Sequence, residues 1–264
     1  MRVPFFQVDA FADAPFSGNP AAVMVLPEFL PDAQLIAIAA ENNLSETAFL
    51  VPGKSDCAIR WFTPQVEVPL CGHATLASAF VLWERLGATA AELTFQSASG
   101  PLTVTREGDL VCLNFPARPI VQRVEHPPLL QALGVPADTP LFCAHSRYLV
   151  ELDHETGVGA LTPDMAGVAK AIPDGIAYVT ARSDRYDFVC RVFAPGSGID
   201  EDPVTGSAYT ALAPYWARAL NKTELVARQL SARGGEVQCA LAGERILIKG
   251  RARLIITGEF EISP

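Results

Sequence analysis

Three short stretches of the chain carry side chains that could move a proton. PLCGHATLAS (69–78) places Cys71, Gly72 and His73 in a row. EDPVTGSA (201–208) holds Asp202, Pro203, Thr205, Gly206 and Ser207, and NLSETAFLV (43–51) holds Glu46. A thiol, an imidazole and two carboxylates are common general acids and bases. Free glutamate, with a pKa of about 4.3, is too weak a base for a carbon-bound proton at neutral pH, and a dry cleft would raise that value. Each residue also has a plain structural reading. Glu46 can be a solvated strand end, and Asp202 before Pro203 a helix N-cap with proline at the first helical position. His73 can cap a first turn, Cys71 can be a small buried hydrophobe, and Ser207 a structural hydroxyl. What favours chemistry is their grouping on two turns that resemble each other.

The elements that must position them repeat. DCAIRWFTP (56–64) matches DFVCRVFAP (187–195) at an offset of 131, pairing Asp56, Arg60, Phe62 and Pro64 with Asp187, Arg191, Phe193 and Pro195. Gly72, Ala74, Ala77 and Ala79 match Gly206, Ala208, Ala211 and Ala213 at 134, as SASG (97–100) matches SARG (231–234). AFLV (48–51) resembles AYVT (177–180) at 129. Four matches in one order at nearly constant spacing point to two homologous halves, 1–118 and 119–264, joined through the proline-rich Pro116–Pro128. The final strand is expected to be able to cross back to the first half.

Each half reads as α+β. Short β-branched strands (Ala21–Leu26; Tyr148–Leu152) precede a surface helix (Pro31–Asn42; Pro163–Ala171), then two strands, a turn and an apolar helix. The segment 74–85 is apolar nearly all round, so it is expected at the centre of a β-barrel-like sheet, and 207–219 likewise. A pseudo-twofold axis would bring the two helix starts to one cleft. Their unpaired N–H groups would hold a carboxylate there, with Gly72 and Gly206 allowing close approach. The halves differ where chemistry is expected: Glu46 has no counterpart, its position being matched by Gly175.

Composition narrows the partners. A net charge of −9 lacks the basic footprint of a nucleic-acid or anionic-membrane binder. The start MRVPFFQVDAF does not read as a signal peptide, and no apolar run reaches membrane-spanning length, so a cytoplasmic location is expected. The six cysteines form no C-x-x-C pair and the four histidines no H-x-x-x-H pair, so neither a structural metal nor a disulfide framework is expected.

FSGNPAAV (16–23), NLSETAF (43–49), FTPQVEVPLCGHATLA (62–77) and EDPVTGSAYTALAPYWA (201–217) together resemble the PhzF-like family, which shares the diaminopimelate epimerase fold. The resemblance runs from FQVDAF near the start to ITGEFEI at the end. It implies a cofactor-independent isomerase, a homodimer, that shifts a proton between carbons of a small carboxylate such as trans-2,3-dihydro-3-hydroxyanthranilate. By motif, the acid/base falls on Glu46, with His73 and Asp202 as its catalytic companions. Asn19, Gly72, Gly206 and Ser207 fall on the substrate-binding positions, with no metal and no cofactor. Related epimerases use two opposed cysteines. Cys71 matches the first, but Asp202–Thr205 offers no second, so a two-thiol racemase is disfavoured and Cys71 reads as a packing residue. Many relatives carry His-Cys where this chain has Tyr209-Thr210, which implies a different specificity if that position touches substrate. An amino-acid racemase and a non-catalytic binding member are the competing readings.

Overall fold

The structure, a computed structural model, describes residues 1–262. It divides into two compact units, Phe115–Ile248 and Met1–Asn114 together with the chain from Lys249 on. The boundary thus falls just before the expected 118/119, and the last strand returns to the first unit.

The first unit holds β1 (Arg2–Ala10), β2 (Asn19–Val25), α1 (Asp32–Asn42), β3 (Glu46–Pro52), β4 (Cys57–Phe62), β5 (Glu67–Val68), α2 (Gly72–Glu84), β6 (Glu92–Ser97), β7 (Gly100–Glu107) and β8 (Leu110–Pro116), which runs to its edge. The second holds β9 (Gln122–Arg123), α3 (Pro127–Leu133), β10 (Leu141–Ala144), β11 (Arg147–Leu152), α4 (Glu155–Ala160), α5 (Met165–Ala171), β12 (Ile176–Arg182), β13 (Phe188–Ala194), β14 (Ile199–Asp202), α6 (Tyr209–Leu220), β15 (Glu224–Gln229), β16 (Gly235–Ala242) and all but the last two residues of β17 (Arg245–Gly250). β18 (Ala252–Glu261) pairs antiparallel along the whole of β1. That pairing is why the chain's end belongs with its beginning. The segment expected as a linker is also partly ordered: β9 pairs with β10, and the His126 ring accepts from the Leu129 amide to cap α3.

Both units pair their strands in one pattern. β1–β2 are antiparallel, β2–β3 parallel, β3–β4 and β4–β5 antiparallel, β4–β6 parallel and β6–β7 antiparallel. β10–β11, β11–β12, β12–β13, β13–β14, β13–β15 and β15–β16 follow the same sequence of senses. The repeated Arg and Phe have one task in both. Arg60 forks Glu67 on the next strand with its guanidinium 5.0 Å from the Phe62 ring; Arg191 forks Glu201 and lies 5.0 Å from Phe193. A charge-assisted fork beside an aromatic face pins each hairpin, and each hairpin leads into the turn that carries candidate chemistry.

The central helices are buried as expected. Eleven residues of α2 are inaccessible, from Gly72 to Trp83, and it packs against β1, β2, β3 and β18. With no polar face to keep wet, this helix is held by its barrel. α6 starts later than expected. Gly206–Ala208 forms a 3-10 turn, and the α-helix proper begins at Tyr209. It is anchored by Trp216 Nε1–H donating to Thr180 Oγ1 and by the stacking of Phe188 on Trp216. Pro214 lies inside α6 and has no N–H, which leaves the Thr210 carbonyl without its helical donor. The Arg118 amide takes that carbonyl at 2.8 Å.

Candidate active site

In the first unit, residues far apart in sequence meet on one imidazole. His73 sits in the first turn of α2, whose N-cap residue Cys71 makes no side-chain capping bond. Glu46 opens β3, just after α1 ends on Asn43 in the left-handed conformation. Asn19 opens β2 after Gly18, which is left-handed at φ 72°; a Cβ there would fall 2.2 Å from the Ala10 carbonyl. Only glycine lets the chain pass that close and deliver Asn19 to the site.

Asn19 Nδ2 lies 3.2 Å from His73 Nδ1, both side chains buried. An amide nitrogen only donates, so Nδ1 accepts and the ring proton stands on Nε2. Glu46 Oε2 lies 3.3 Å from that Nε2. The approach is long for a charge-assisted hydrogen bond and imperfectly aligned, as is common at sites that tighten around a ligand. Burial pushes the His73 pKa down to about 3, so the ring is neutral at pH 7. The result is a neutral imidazole N–H facing a carboxylate at an uncapped helix N-terminus, where developing negative charge is favoured.

Cys71 Sγ lies 3.5 Å from the same Nδ1 that Asn19 addresses. The thiol is therefore in contact with the candidate catalytic ring, closer to the chemistry than a packing residue would be. As an S–H it can only share the lone pair that Asn19 already occupies. Serine in its place can donate in the same way, so Cys71→Ser is expected to keep most of the parental turnover. Loss of turnover with the fold intact, read by circular dichroism beside the rate, would make the thiol a reacting group.

Glu46, Cys71 and His73 each offer a ligand atom within 4.8 Å of one another. The carboxylate approaches Nε2 and the thiol Nδ1. A thiol, an imidazole and a carboxylate this close together are also donor types that a divalent transition metal takes.

In the second unit, Asp202, Gly206 and Ser207 lie on one turn. Thr205 Oγ1–H donates to Asp202 Oδ2. Gln229, wholly buried, clamps the turn from both sides: its Oε1 accepts from the Thr205 amide and its Nε2–H donates to the Asp202 carbonyl. Sequence reasoning missed Gln229. Its signal was there: β15 alternates inward at Leu225, Ala227 and Gln229, and a polar residue in an apolar row needs a partner. Tyr209 points into the unit, its hydroxyl 3.7 Å from Cys190 Sγ, and Thr210 Oγ1–H donates to the Ser207 carbonyl. Both residues thus brace the start of α6.

Strand pairing corrects the expected match of Glu46 with Gly175. Phe49 pairs with Arg60 and Val179 with Arg191, so β3 and β12 correspond at an offset of 130 and Glu46 is matched by Ile176. The second unit therefore carries an apolar residue where the first carries the carboxylate.

Comparison with known proteins agrees with this architecture. Residues 8–258 match the family described as phenazine biosynthesis-like protein, and the chain belongs to that family, PhzF. An uncharacterized isomerase of Pseudomonas aeruginosa is 51% identical over 262 residues, 99% of this chain and 100% of that one. The crystal structure of a PhzF-family protein of Enterococcus faecalis superposes with a TM-score of 0.92 at 43% identity, covering 99% of this chain and 100% of that one. A hydroxyproline epimerase of Agrobacterium vitis shares the fold alone, with a TM-score of 0.62 at 14% identity over 98% of this chain and 91% of that one. The fold is thus the isomerase and epimerase-like α+β fold of two half-chain repeats, each wrapping a central helix. No helix among the described residues is long and apolar enough to cross a membrane.

Proposed function

We propose that the protein is a cofactor-independent isomerase that moves a proton between carbons of a small cyclic or amino carboxylate. The observation that carries this reading is the buried contact of the Glu46 carboxylate with a neutral His73, its tautomer set by Asn19. Glu46 takes a proton from an acidic C–H bond. The bonding pair moves into the conjugated system, and the carboxyl returns the proton to another carbon; nothing is oxidised or reduced. His73 donates its Nε2–H to the oxygen on which charge develops. Gly72 offers backbone N–H to the substrate carboxylate, and Asp202, Gly206 and Ser207 keep the catalytic and binding roles that the resemblance gives them. The reading takes the enzyme to work as a cytoplasmic homodimer. Racemisation by two thiols lacks its second acid, because Asp202–Ser207 contains no cysteine.

The test is proton exchange in D2O. trans-2,3-Dihydro-3-hydroxyanthranilate and a panel of small cyclic and amino carboxylates are incubated with the protein and followed by mass spectrometry. Catalysed gain of one deuterium in substrate or product supports the reading. Ligands that bind without exchange would instead make the protein a binding member of the family.

A further inference from the structure

A second concentration of polar groups lies in the Phe115–Ile248 unit, outside the candidate active site. A cavity of about 510 Å³ opens between the segment Ala117–Ile120 and the turn joining β10 to β11. Arg118, His145 and Arg147 line it beside the apolar Ala117, Pro119 and Ile120, and no acidic residue does. Among the described residues neither Arg118 nor Arg147 makes an ion pair, in a chain whose net charge is −9. Arg118 is exposed and Arg147 half-buried, so both are reachable, and two guanidinium groups lining one cavity without a carboxylate among them offer an anion a forked, charge-assisted grip.

The cavity is built by the fold. The Arg118 backbone is held by the Thr210 carbonyl that Pro214 leaves open, and the neighbouring Ala117 amide by the Glu244 carbonyl. Opposite, His145 and Ser146 are both left-handed, at φ 49° and 61°, in the two-residue turn between the paired Ala144 and Arg147. Non-glycine residues adopt that conformation at a cost, and here it fixes where Arg147 leaves the turn. Tyr178, on β12, stands level with Leu149 of β11 and is wholly buried. Its hydroxyl lies beside the Arg147 guanidinium and in the field of Arg118. Burial raises its pKa to about 12, against the pull of the guanidinium groups, so it keeps its proton at neutral pH. Arg147 can only donate to it, so this buried hydroxyl helps to hold the guanidinium at the cavity wall.

We propose that this cavity is an anion-binding site for a small molecule carrying a carboxylate or phosphate group, gripped by Arg118 and Arg147, with Tyr178 holding Arg147 in place. The apolar Pro119 and Ile120 favour a ligand with a flat or aliphatic body over a bare ion. The site is independent of the proposed catalysis.

The experiment is calorimetric titration of the full chain with inorganic phosphate and, separately, with benzoate, at constant ionic strength adjusted with chloride. At least one probe is expected to bind at up to about 10 mM. Arg118→Gln and Arg147→Gln should each weaken it by roughly tenfold or more, and Tyr178→Phe by a few-fold, with circular dichroism unchanged. His73→Asn, in the other site, should leave that affinity as it was. Binding of benzoate alone assigns the site to carboxylates, and of phosphate alone to phosphorylated ligands. The proposal is overturned if neither probe binds, if binding survives both arginine substitutions, or if His73→Asn abolishes it. Should an arginine variant misfold, backbone amide shifts of His145 and Arg147 on adding probe to the parent chain decide the matter. Shifts there support the site, and shifts confined to residues near His73 refute it.

Discussion

Glu46→Gln is expected to bind ligand about as the parent does and to turn over roughly 10² to 10⁴ times more slowly, the usual share of general acid–base catalysis. Glutamine keeps the length and planar end of glutamate, so the approach to His73 Nε2, now 3.3 Å, stays available to the amide oxygen. What it loses is the capacity to take up and give back a proton. The effect therefore belongs in kcat, with KM little changed. Solvent deuterium should stop entering substrate and product together, since one group makes both transfers. If Glu46→Gln exchanges as fast as the parent, Glu46 is not the base, and the site must be rebuilt around another group, with Cys71 the nearest candidate. If exchange survives but net isomerisation is lost, Glu46 serves only the second transfer.

The turns were legible in the sequence because they lie in local patterns. The offsets of 131 and 134 correspond to real repetition: Arg60 and Arg191 do the same work on matching hairpins, and α2 is buried as its all-round apolar composition required. That Glu46 has no carboxylate counterpart was legible, but its match was not: the offset of 129 pointed to Gly175, whereas strand pairing, which local sequence does not specify, gives Ile176. Asn19 came only from family resemblance. Nothing local announces that an asparagine 54 residues upstream will set a histidine tautomer, and that contact depends on the left-handed Gly18. The later start of α6 was misjudged because Gly-Ser-Ala read as a first helical turn, whereas Asp202–Thr205, clamped by Gln229, ends in a 3-10 turn first. The union of β18 with β1 joins the two ends of the chain, and periodicity within either strand does not specify its partner.

His73→Asn is expected to flatten the acid limb of the stability curve, apart from any loss of turnover. In the folded chain burial holds the His73 pKa at about 3, against about 6.5 for an exposed histidine. Between those values the unfolded chain binds a proton at this position and the folded chain does not, so stability rises with pH there and is level above it. Lowering the pH from 6.5 should thus cost the parent about 1.4 kcal/mol per pH unit from this residue, with the loss complete near pH 3. The groups facing the ring are the Glu46 carboxylate at Nε2 and the Cys71 thiol and Asn19 amide at Nδ1. Of these, only an ionised Glu46 would favour a charged ring. The comparison therefore also asks which wins, burial or the ion pair. Urea unfolding of parent and variant between pH 4.5 and 7.5 gives the answer as a difference of slopes, in which the other carboxylates largely cancel. A parental slope steeper by about one proton between pH 4.5 and 6 means that burial dominates and His73 works as a neutral N–H donor. Equal slopes, or a parent that gains stability relative to the variant as the pH falls, would mean that His73 is an imidazolium paired with Glu46. The carboxylate would then be held as a counter-ion, and the division of roles between base and donor proposed here would be wrong.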